Sequence, residues 1–301
     1  MIKSITVTNY LGESLTLELM RPEKSGFIVK EIEGLGSAKA DVNITEMATN
    51  DGAMFNSSRV NSRDIELDLQ FLPMPTIEDT RHMSYKFFPV KHEVKLTVET
   101  DNRTSYIMGY VESNEPNIFS ENEGCKVSII CPNPYFQSIS QKTTMFSGIV
   151  PRFKFPFSNN SPTKKLLKMG DIVTKQYETI HYTGDAETGV TIVIHALGTV
   201  GTVRIYNINT REIMEINSER LAALTGSGLV ASDEITICTI KGQKYIKLLR
   251  AGVETNILNC LDRNADWFQL SKGDNIFAYV AEEGASHLQF KIISRDLYEG
   301  V

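Results

Sequence analysis

The sequence predicts a mostly β protein of two domains, and three observations predict it. Residues 64–71 alternate strictly, with Ile65, Leu67, Leu69 and Phe71 on one face and acidic or amide side chains on the other. This is the pattern of a strand with one buried face. Short segments of similar character recur along the chain between Gly, Asn and Asp turns, as in antiparallel sandwiches. Only one segment carries good helix signals.

The first half of the chain contains five further predicted strands and the helix. The strands are expected at residues 5–8, 27–32, 94–98, 106–111 and 127–131. A helix is predicted over residues 76–88, because Thr76 and Asp79 have the spacing of a capping box and Pro89 ends it. Ile77, Ser84, Tyr85 and Phe88 fall near one face, so we expect these side chains to cover one end of a β-sandwich.

A long hairpin is predicted around Asp51-Gly52. Before this dipeptide, Ala38, Ala40, Val42 and Ile44 alternate with polar residues, and after it comes the strand of residues 64–71. In each arm, one face is expected to pack in a core and the other to contact solvent or a partner subunit. The polar stretch 46–60 has few large apolar residues, so we expect a loop that is functional or is ordered by a neighbour.

Length and composition favour two domains. At 301 residues the chain exceeds the size at which one core usually stops growing. Pro and Asn cluster after residue 131, which indicates a boundary. We therefore expect an N-terminal domain at 1–136, a linker at 137–165 and a C-terminal β-sandwich at 166–301. Strands of the second half are predicted at residues 190–196, 203–206, 213–216, 234–239, 245–249, 276–280 and 288–293.

Charge and apolar content exclude several functional classes. The formal net charge is -6 and the Lys and Arg residues are dispersed, which argues against a surface that grips nucleic acid. No apolar run approaches the thickness of a bilayer, so no membrane insertion is expected.

The reactive side chains form no recognisable site. Cys125 and Cys131 lie on one face of a predicted strand, roughly 20 Å apart and beyond disulfide reach. Cys238 and Cys260 lack CxxC spacing, and the five histidines are scattered without an HExxH motif. We predict reduced structural cysteines, no metal site, no cofactor and no catalytic residues.

The chain resembles the distal tail proteins of the siphophage tail component family through a series of short motifs along its length. In the first half these are Glu33-Gly34-Leu35-Gly36, Asp51-Gly52-Ala53, Arg59 with Arg63, Gly109-Tyr110-Val111-Glu112-Ser113 and Cys131-Pro132-Asn133-Pro134-Tyr135-Phe136. In the second half they are Phe155-Pro156-Phe157, Gly184-Asp185-Ala186-Glu187-Thr188-Gly189, Ile205-Tyr206-Asn207, Ile237-Cys238-Thr239, Gly242-Gln243-Lys244, Trp267-Phe268-Gln269-Leu270, Gly273-Asp274-Asn275 and Tyr298-Glu299-Gly300-Val301.

The resemblance implies a structural protein of the virion, at the tail tip or baseplate of a phage or of a phage tail-like particle. It implies a hexameric ring that joins the tail tube to baseplate and tip proteins around a central channel. The N-terminal domain would be a sandwich or barrel-like ring domain with a belt hairpin, and the C-terminal domain a galectin-like, carbohydrate-binding-module-like sandwich. The implied partners are the tail tube protein, the tape measure protein, a tail-tip hub or tail-associated lysin protein, and receptor-binding or baseplate proteins. Assembly would occur in the bacterial cytoplasm, and DNA would pass without specific binding.

Two groups of residues are predicted to serve this function. Contacts between subunits are expected at the belt residues Asp51, Gly52, Ala53, Arg59 and Arg63, because guanidinium groups pair well with carboxylates at interfaces. The alternative for Arg59 and Arg63 is a solvated pair at the hairpin base. The outward set Asp64, Glu66 and Asp68 is expected to face the channel, because a polyanion passes an acidic lining without binding. Solubility alone would also explain these charges.

A carbohydrate-binding module or adhesin is the alternative function. Trp267, the only tryptophan, lies near Asn264 and Asp266, so this group is the candidate glycan contact. The alternative for Trp267 is a place in the core. A hydrolase is a third class, but no GxSxG motif, Cys/His pairing or P-loop is present.

Overall fold

The computed structural model describes residues 1–47, 51–151 and 170–301. The chain divides into two compact units. The first comprises Met1–Ile139 together with Leu297–Val301, and the second comprises Ser140–Asp296. The last five residues therefore belong to the first unit, whereas the sequence places them with the C-terminal domain at 166–301. Residues 152–165 of the expected linker and residues 166–169 lie outside the described residues.

The first unit is a twisted antiparallel sheet with one helix and a separate hairpin. Its elements are β1 (Ile2–Thr8), β2 (Ser14–Glu18), β3 (Phe27–Glu33), β4 (Ala40–Glu46), β5 (Ala53–Val60), β6 (Arg63–Phe71), α1 (Ile77–Phe87), β7 (Glu93–Thr100), β8 (Thr104–Asn117), β9 (Gly124–Cys131) and β10 (Phe136–Ser138), to which the chain later adds β25 (Leu297–Tyr298). The main sheet has the order β2-β1-β7-β8-β9-β6-β3, and β10 pairs with both β8 and β25. All the strands predicted for this half are present.

The alternating pattern of β6 explains how this sheet forms its core. Ile65, Leu67 and Leu69 are fully buried, and Phe71 is nearly so, while the intervening polar residues face outward. Val7 of β1, Leu96 of β7 and Val127 of β9 belong to the same apolar cluster. The prediction from period-2 alternation is confirmed for this arm of the hairpin.

Helix α1 begins and ends almost where the sequence predicts. Thr76 is its N-cap, and the reciprocal hydrogen bonds of a capping box with Asp79 are both present. The predicted buried face is only partly correct. Ser84 and Phe88 are buried, but Ile77 and Tyr85 are exposed, and Thr80 and Phe87 are buried in their place. The Thr80 hydroxyl donates a hydrogen bond to the Leu72 carbonyl at 2.6 Å. The buried side of the helix therefore includes a polar residue, which a pattern of apolar residues does not indicate.

The hairpin of β4 and β5 differs from the prediction in two ways. Residues Ala53–Val60, expected within a loop, form a strand that pairs with β4. In addition, every residue of both strands is exposed, so the expected core face of the arm containing Val42 and Ile44 is not buried by the described parts of the chain. Alternation shows which residues share a face, but what covers that face is decided by the rest of the structure.

The second unit is a sandwich of two antiparallel sheets. Its strands are β11 (Lys142–Met145), β12 (Ser147–Pro151), β13 (Gly170–Thr174), β14 (Tyr177–Tyr182), β15 (Thr188–Gly189), β16 (Thr191–Ala196), β17 (Val203–Asn207), β18 (Glu212–Ile216), β19 (Glu234–Cys238), β20 (Tyr245–Arg250), β21 (Val253–Asn256), β22 (Gln269–Leu270), β23 (Gly273–Ala281) and β24 (Leu288–Ser294). One sheet has the order β11-β24-β16-β19-β20-β21, and the other has the order β14-β23-β17-β18. Outside these two sheets, β12 pairs with β13 and β15 pairs with β22.

Both sheets contribute to one core. Tyr279 of the four-stranded sheet stacks on Phe290 of the six-stranded sheet, with ring centroids 5.0 Å apart, and Phe146 packs against both. The strands predicted for this half are all present, and the prediction of a mostly β, sandwich-like fold is confirmed. The galectin-like character of this unit stays a prediction.

Helix α2 (Ser218–Thr225) was not predicted. It is short, but its local signals are clear: Asn217 caps its amino end, and Gly226 ends it in the left-handed region at φ 82°. Arg250 of β20 anchors the segment that follows, because it pairs with the buried Asp233 at 2.6 Å and donates to the Gly228 carbonyl. Of the helices in the described residues, none has the length and apolar character that a membrane crossing requires.

Candidate functional site

The hairpin of β4 and β5 stands apart from the main sheet and is the most exposed regular structure of the first unit. Its register pairs Ala40 with Val60 at the base and Glu46 with Ala53 near the turn. Gly52 lies in the left-handed region at φ 93°, as the predicted turn at Asp51-Gly52 requires. Asp51, Gly52 and Ala53 are exposed at the end of the hairpin.

The two faces of the hairpin have different chemistry. Directly opposed residues of an antiparallel pair share a face. One face therefore contains Val42, Ile44, Phe55 and Val60, of which Ile44 is 55% and Phe55 62% exposed. A register shift after Asn43, at Asn56, brings Phe55 opposite Ile44. The result is a contiguous apolar face that no described part of the chain covers.

The other face of the hairpin is mostly polar, and its side chains contact one another. Arg59 lies 3.5 Å from the Asp41 carboxylate, and the Asn61 amide donates to the same carboxylate at 2.9 Å. The Asn61 hydrogen bond lowers the pKa of Asp41, and the charge of Arg59 contributes in the same direction. Arg59 is thus a solvated residue with an intramolecular partner, in a position that a neighbouring subunit could still reach.

Arg63 does not have the position predicted for it. Its side chain is 3% exposed, and its guanidinium donates to the backbone carbonyls of Gly34, Gly36, Pro134 and Glu299. It also lies over the Phe136 ring, 4.9 Å from the centroid. Burial lowers the pKa of Arg63, but a guanidinium stays charged in proteins. Because all these partners belong to the first unit, Arg63 is an internal clamp in this structure rather than an exposed interface residue.

The segments joined by Arg63 meet at the base of the hairpin. Gly34 adopts φ 83°, and a Cβ there would meet the Asp64 carbonyl at 2.1 Å, so the connection from β3 to β4 needs glycine. The Val301 amide donates to the Leu35 carbonyl at 3.2 Å. The Arg103 guanidinium donates to the Gly300 carbonyl at 2.7 Å. The last residues of the chain therefore support the strand connection that leads into the hairpin.

The outward face of β6 is more acidic than the sequence alone indicates. Asp64, Glu66 and Asp68 point away from the core, as predicted. The register of β3 adds Glu33 opposite Glu66 and Glu31 opposite Asp68. Lys126 of β9 pairs with Glu66 at 2.6 Å, and this contact raises the pKa of the lysine. Glu31 and Glu33 therefore join the three carboxylates of β6 on this surface, beside the paired lysine, and these two from β3 could be located only once the strand order was known.

The predicted glycan group is only partly assembled. Trp267 is partly buried against the core of the second unit, and Lys244 lies over its ring at 5.2 Å. It borders an open depression of about 560 Å³ together with residues that the sequence did not indicate, namely Arg220, Asn259, Asp262 and Arg263. The Asp266 carboxylate accepts a hydrogen bond from the Ile213 amide at 3.0 Å, and Asn264 is not part of the lining.

The four cysteines are free and buried, as predicted. Burial raises the pKa of Cys125 and of Cys131 to about 12, so neither is a nucleophile at neutral pH. Across the described parts of the chain, no group of three or more His, Cys, Asp or Glu side chains could hold a metal ion.

Comparison with known proteins identifies the fold. No family model and no curated protein matches the sequence. Among solved structures, the Dit protein of phage SPP1, described as a paradigm of the hub adsorption apparatus in phages infecting Gram-positive bacteria, aligns at a TM-score of 0.66 and 13% identity, over 97% of this chain and 98% of that one. Chains in two structures of the activated phage P2 baseplate, one with Ca and one with Sr, align at 12% identity.

The two baseplate chains cover 97% of this chain and 98% and 97% of their own, with TM-scores of 0.48 and 0.46, which are below the level of a shared fold. The TM-score of 0.66 with SPP1 Dit is above that level, and the aligned residues belong to both units. This protein therefore has the fold of a phage Dit hub protein, and the resemblance indicated by its sequence is confirmed at the level of the fold.

Proposed function

We propose that this protein is a non-enzymatic structural component of the distal end of a phage tail or tail-like particle, where it forms a hexameric ring. The ring connects the tail tube to baseplate and tip proteins and leaves a central channel. The shared fold with SPP1 Dit supports the tail-tip role. The ring and its sixfold symmetry come from the family resemblance.

The observation that carries the proposal is the uncovered apolar face of the hairpin. An isolated two-stranded ribbon is marginally stable in water, and an exposed pair of strands with apolar side chains invites association. Val42, Ile44 and Phe55 gain most if a neighbouring copy covers them, since burial of apolar surface is the main favourable term in association. A closed ring supplies each copy with one such neighbour.

A pair of matched substitutions tests this role. Ile44→Asp combined with Phe55→Asp places charge on the apolar face, whereas Ser57→Asp places one on the opposite face of the same hairpin. Size-exclusion chromatography with light scattering, together with negative-stain microscopy, measures the assembly. We expect sixfold rings of about 202 kDa, six times the 33.7 kDa chain, for the wild type and for Ser57→Asp.

The apolar-face variant is expected to be a folded 33.7 kDa monomer, with circular dichroism establishing the fold. Wild-type protein that stays monomeric at high concentration would contradict the proposal. Rings of unchanged size in the Ile44→Asp/Phe55→Asp variant would support the ring itself but would show that the apolar face of the hairpin is not part of the interface between subunits.

We further propose that the acidic face of β6 lines the channel. Repulsion by Asp64, Glu66 and Asp68, reinforced by Glu31 and Glu33, lets DNA pass without being retained. In the test, Glu31, Glu33 and Asp64 are replaced by Lys. The control variant carries Lys at Glu212, Glu219 and Glu283, three carboxylates of the second unit.

The readout is binding of linear and covalently closed circular duplex DNA of one sequence at low salt. Linear DNA can thread a closed ring, and circular DNA cannot. We expect the β6-face variant to bind linear DNA at least about tenfold more tightly than circular DNA, with strong salt dependence. Equal binding of the two forms would place this face outside the channel.

The proposed partners are those of a tail-tip connector. Above the ring they are the tail tube and tape measure proteins. Below it they are a tail-tip hub or tail-associated lysin protein and the receptor-binding or baseplate proteins. Assembly is proposed to take place in the cytoplasm of the bacterial host, before incorporation into the virion. Belt contacts are proposed at Asp51, Gly52, Ala53 and Arg59, which remain exposed at the end and on the polar face of the hairpin.

A further inference from the structure

The open depression of about 560 Å³ that Trp267 borders, here called the Trp267 depression, is a second feature of the surface with its own chemistry. Arg220 of helix α2 contributes to its lining, and the other lining residues, Asn259 and Arg263 among them, belong to the loop of residues 257–268 between β21 and β22. All of them lie in the second unit, apart from the hairpin and the acidic face. The proposed ring, channel and partners give this depression no role.

Backbone hydrogen bonds attach this loop to the edge strand β18. The Asp262 amide donates to the Glu215 carbonyl at 3.1 Å, and the Asp266 amide donates to the Ile213 carbonyl at 2.9 Å. Arg263 follows the first of these attachment points and precedes the second. Its backbone position is therefore set by the fold before any ligand binds, which lowers the cost of ordering the site.

The two arginines of the depression have most of their hydrogen-bond donors open. Arg263 is exposed and has no hydrogen bond or ion pair among the described residues. Arg220 has a side-chain hydrogen bond to the Leu261 carbonyl, at 3.0 Å. That bond orients Arg220 beside the loop but uses only part of the fork of donors that a guanidinium presents. The open donors of both side chains are suited to receive an acceptor from a ligand.

The nearby carboxylates bind backbone amides rather than the two arginines. Oδ1 of Asp262 accepts a hydrogen bond from a backbone amide at 3.2 Å, and Oδ2 of Asp266 accepts one from another amide at 3.0 Å. Elsewhere in this unit an arginine does pair with a carboxylate, since Arg204 lies 2.6 Å from Glu215. The lining thus presents two guanidinium groups against one carboxylate, on a chain whose formal net charge is -6.

The depression also has an apolar part. Trp267 and Ala265 are partly buried against the core, and Leu258, which lines the same depression, is 48% exposed. Lys244 lies over the Trp267 ring at 5.2 Å and adds a positive charge beside it. A volume of about 560 Å³ is within the range of small-molecule sites, so an organic group has room next to an anion.

This combination of groups indicates an organic phosphate. Guanidinium forks bind phosphate oxygens in a bidentate way. A phosphate monoester carries a charge of about -1.5 to -2 at pH 7, which two guanidinium groups can match, whereas a carboxylate carries only one charge. Inorganic phosphate has no organic group to contact Trp267 and Leu258. We propose that the depression defined by Arg220, Arg263 and Trp267 is a binding site for a small organic phosphate monoester.

The single tryptophan of the chain borders this site, so tryptophan fluorescence reports on its occupancy. Glycerol 1-phosphate is titrated into the full chain at constant ionic strength to about 10 mM, tenfold above an expected dissociation constant on the order of 1 mM. Isothermal titration calorimetry on the same solutions measures the affinity independently. Because every lining residue belongs to the second unit, the result is separate from the success or failure of the proposed ring.

The site variants are Arg263→Gln and Arg220→Gln, each of which removes one guanidinium. Arg211→Gln is the matched control, because Arg211 is exposed in the same unit, has no partner among the described residues and is not part of the depression. We expect saturable binding to the wild type and to Arg211→Gln. Each site variant should bind at least about tenfold more weakly, because hydrogen bonds to a charged group are lost. Unchanged circular dichroism shows that the variants fold, and Arg263→Gln breaks no hydrogen bond or ion pair within the described chain.

Three further probes define the ligand class. Glycerol lacks the phosphate, inorganic phosphate lacks the organic group, and dimethyl phosphate is a diester of the kind found in a DNA backbone. Each should bind more weakly than glycerol 1-phosphate. Absence of saturable glycerol 1-phosphate binding by both methods overturns the proposal, as does equal binding by the wild type and Arg263→Gln. Inorganic or dimethyl phosphate that binds as tightly as glycerol 1-phosphate also overturns it, because the site then does not select a monoester.

Discussion

Arg59 and Arg63 are four residues apart, yet their surroundings give them different roles. Arg59 is exposed on the hairpin and pairs with Asp41 in solvent. Arg63 is buried and is bound by four backbone carbonyls from separate segments of the first unit. A buried charge is tolerated only when its hydrogen bonds are satisfied, so the carbonyls of Gly34, Gly36, Pro134 and Glu299 depend on Arg63 as much as it depends on them.

Arg63→Ala is expected to destabilise the first unit by about 3 kcal/mol, because buried carbonyls lose charged donors and a cavity remains. Hydrogen exchange with mass spectrometry measures the loss through peptides of residues 27–36, 63–71 and 124–137. Arg59→Ala is the matched control, and its exchange should equal that of the wild type, since exposed ion pairs contribute little. Similar protection in the two variants would contradict the clamp.

The buried thiols predict a stability that falls with rising pH. Burial raises the pKa of Cys125 and Cys131 from 9.0 to about 12. The unfolded chain releases these protons near pH 9 and the folded chain does not, so the stabilisation is complete below that pH and is lost as the pH rises toward 12.

Urea unfolding at pH 8 and at pH 10.5 measures this effect. The free energy of unfolding of the first unit should decrease between the two values, and it should decrease less in Cys125→Ala/Cys131→Ala. Burial also raises the pKa of Tyr279, which adds a loss of the same sign in the second unit. An identical decrease with and without the two cysteines would exclude their contribution.

The secondary structure elements differ in how far local sequence signals determine them and how far contacts with distant segments do. β6 and α1 are set by local signals, namely strict alternation and a capping box. β4 has comparable alternation, but its apolar face finds no cover within the described chain. Period and capping therefore predict that an element forms, whereas its burial depends on neighbours that are distant in sequence.

For α1, the capping box gives a direct prediction. Thr76→Ala removes the side-chain acceptor for the Asp79 amide and should cost about 1 kcal/mol of stability. Thr76→Ser retains the hydroxyl and should cost less than half as much. Urea unfolding followed by circular dichroism measures both, and equal losses would show that the Thr76 methyl group, rather than the cap, is responsible.

At the scale of the whole molecule, residues 297–301 return to the first unit after the chain has passed through the second. β25 pairs with β10, and Glu299, Gly300 and Val301 bond to Arg63, Arg103 and Leu35 in the same unit. The first unit is thus closed only after the second has been synthesised, and five residues connect the end of the chain to the base of the hairpin.

Replacement of residues 297–301 by Gly-Ser-Gly-Ser-Gly is expected to weaken the first unit and leave the second unchanged. Hydrogen exchange should increase at residues 27–36 and 136–138, which lose partners, and should stay the same at residues 191–196 and 234–238. The replacement keeps the chain length constant, so the effect reports the lost contacts. Uniform exchange in both units would show that the last five residues have no specific role in the first.

The sequence by itself determined the positions of β6 and of the other predicted strands, though not of β5, together with the capped helix, the reduced cysteines and the resemblance to distal tail proteins. These features depend on local periodicity, on turn and capping residues, or on motifs in order along the chain. Only the tertiary structure decided that Arg63 is buried, that Glu31 and Glu33 join the β6 face and that residues 297–301 return to the first unit. Each of these depends on pairing between distant segments, and local pattern does not encode which strands become neighbours.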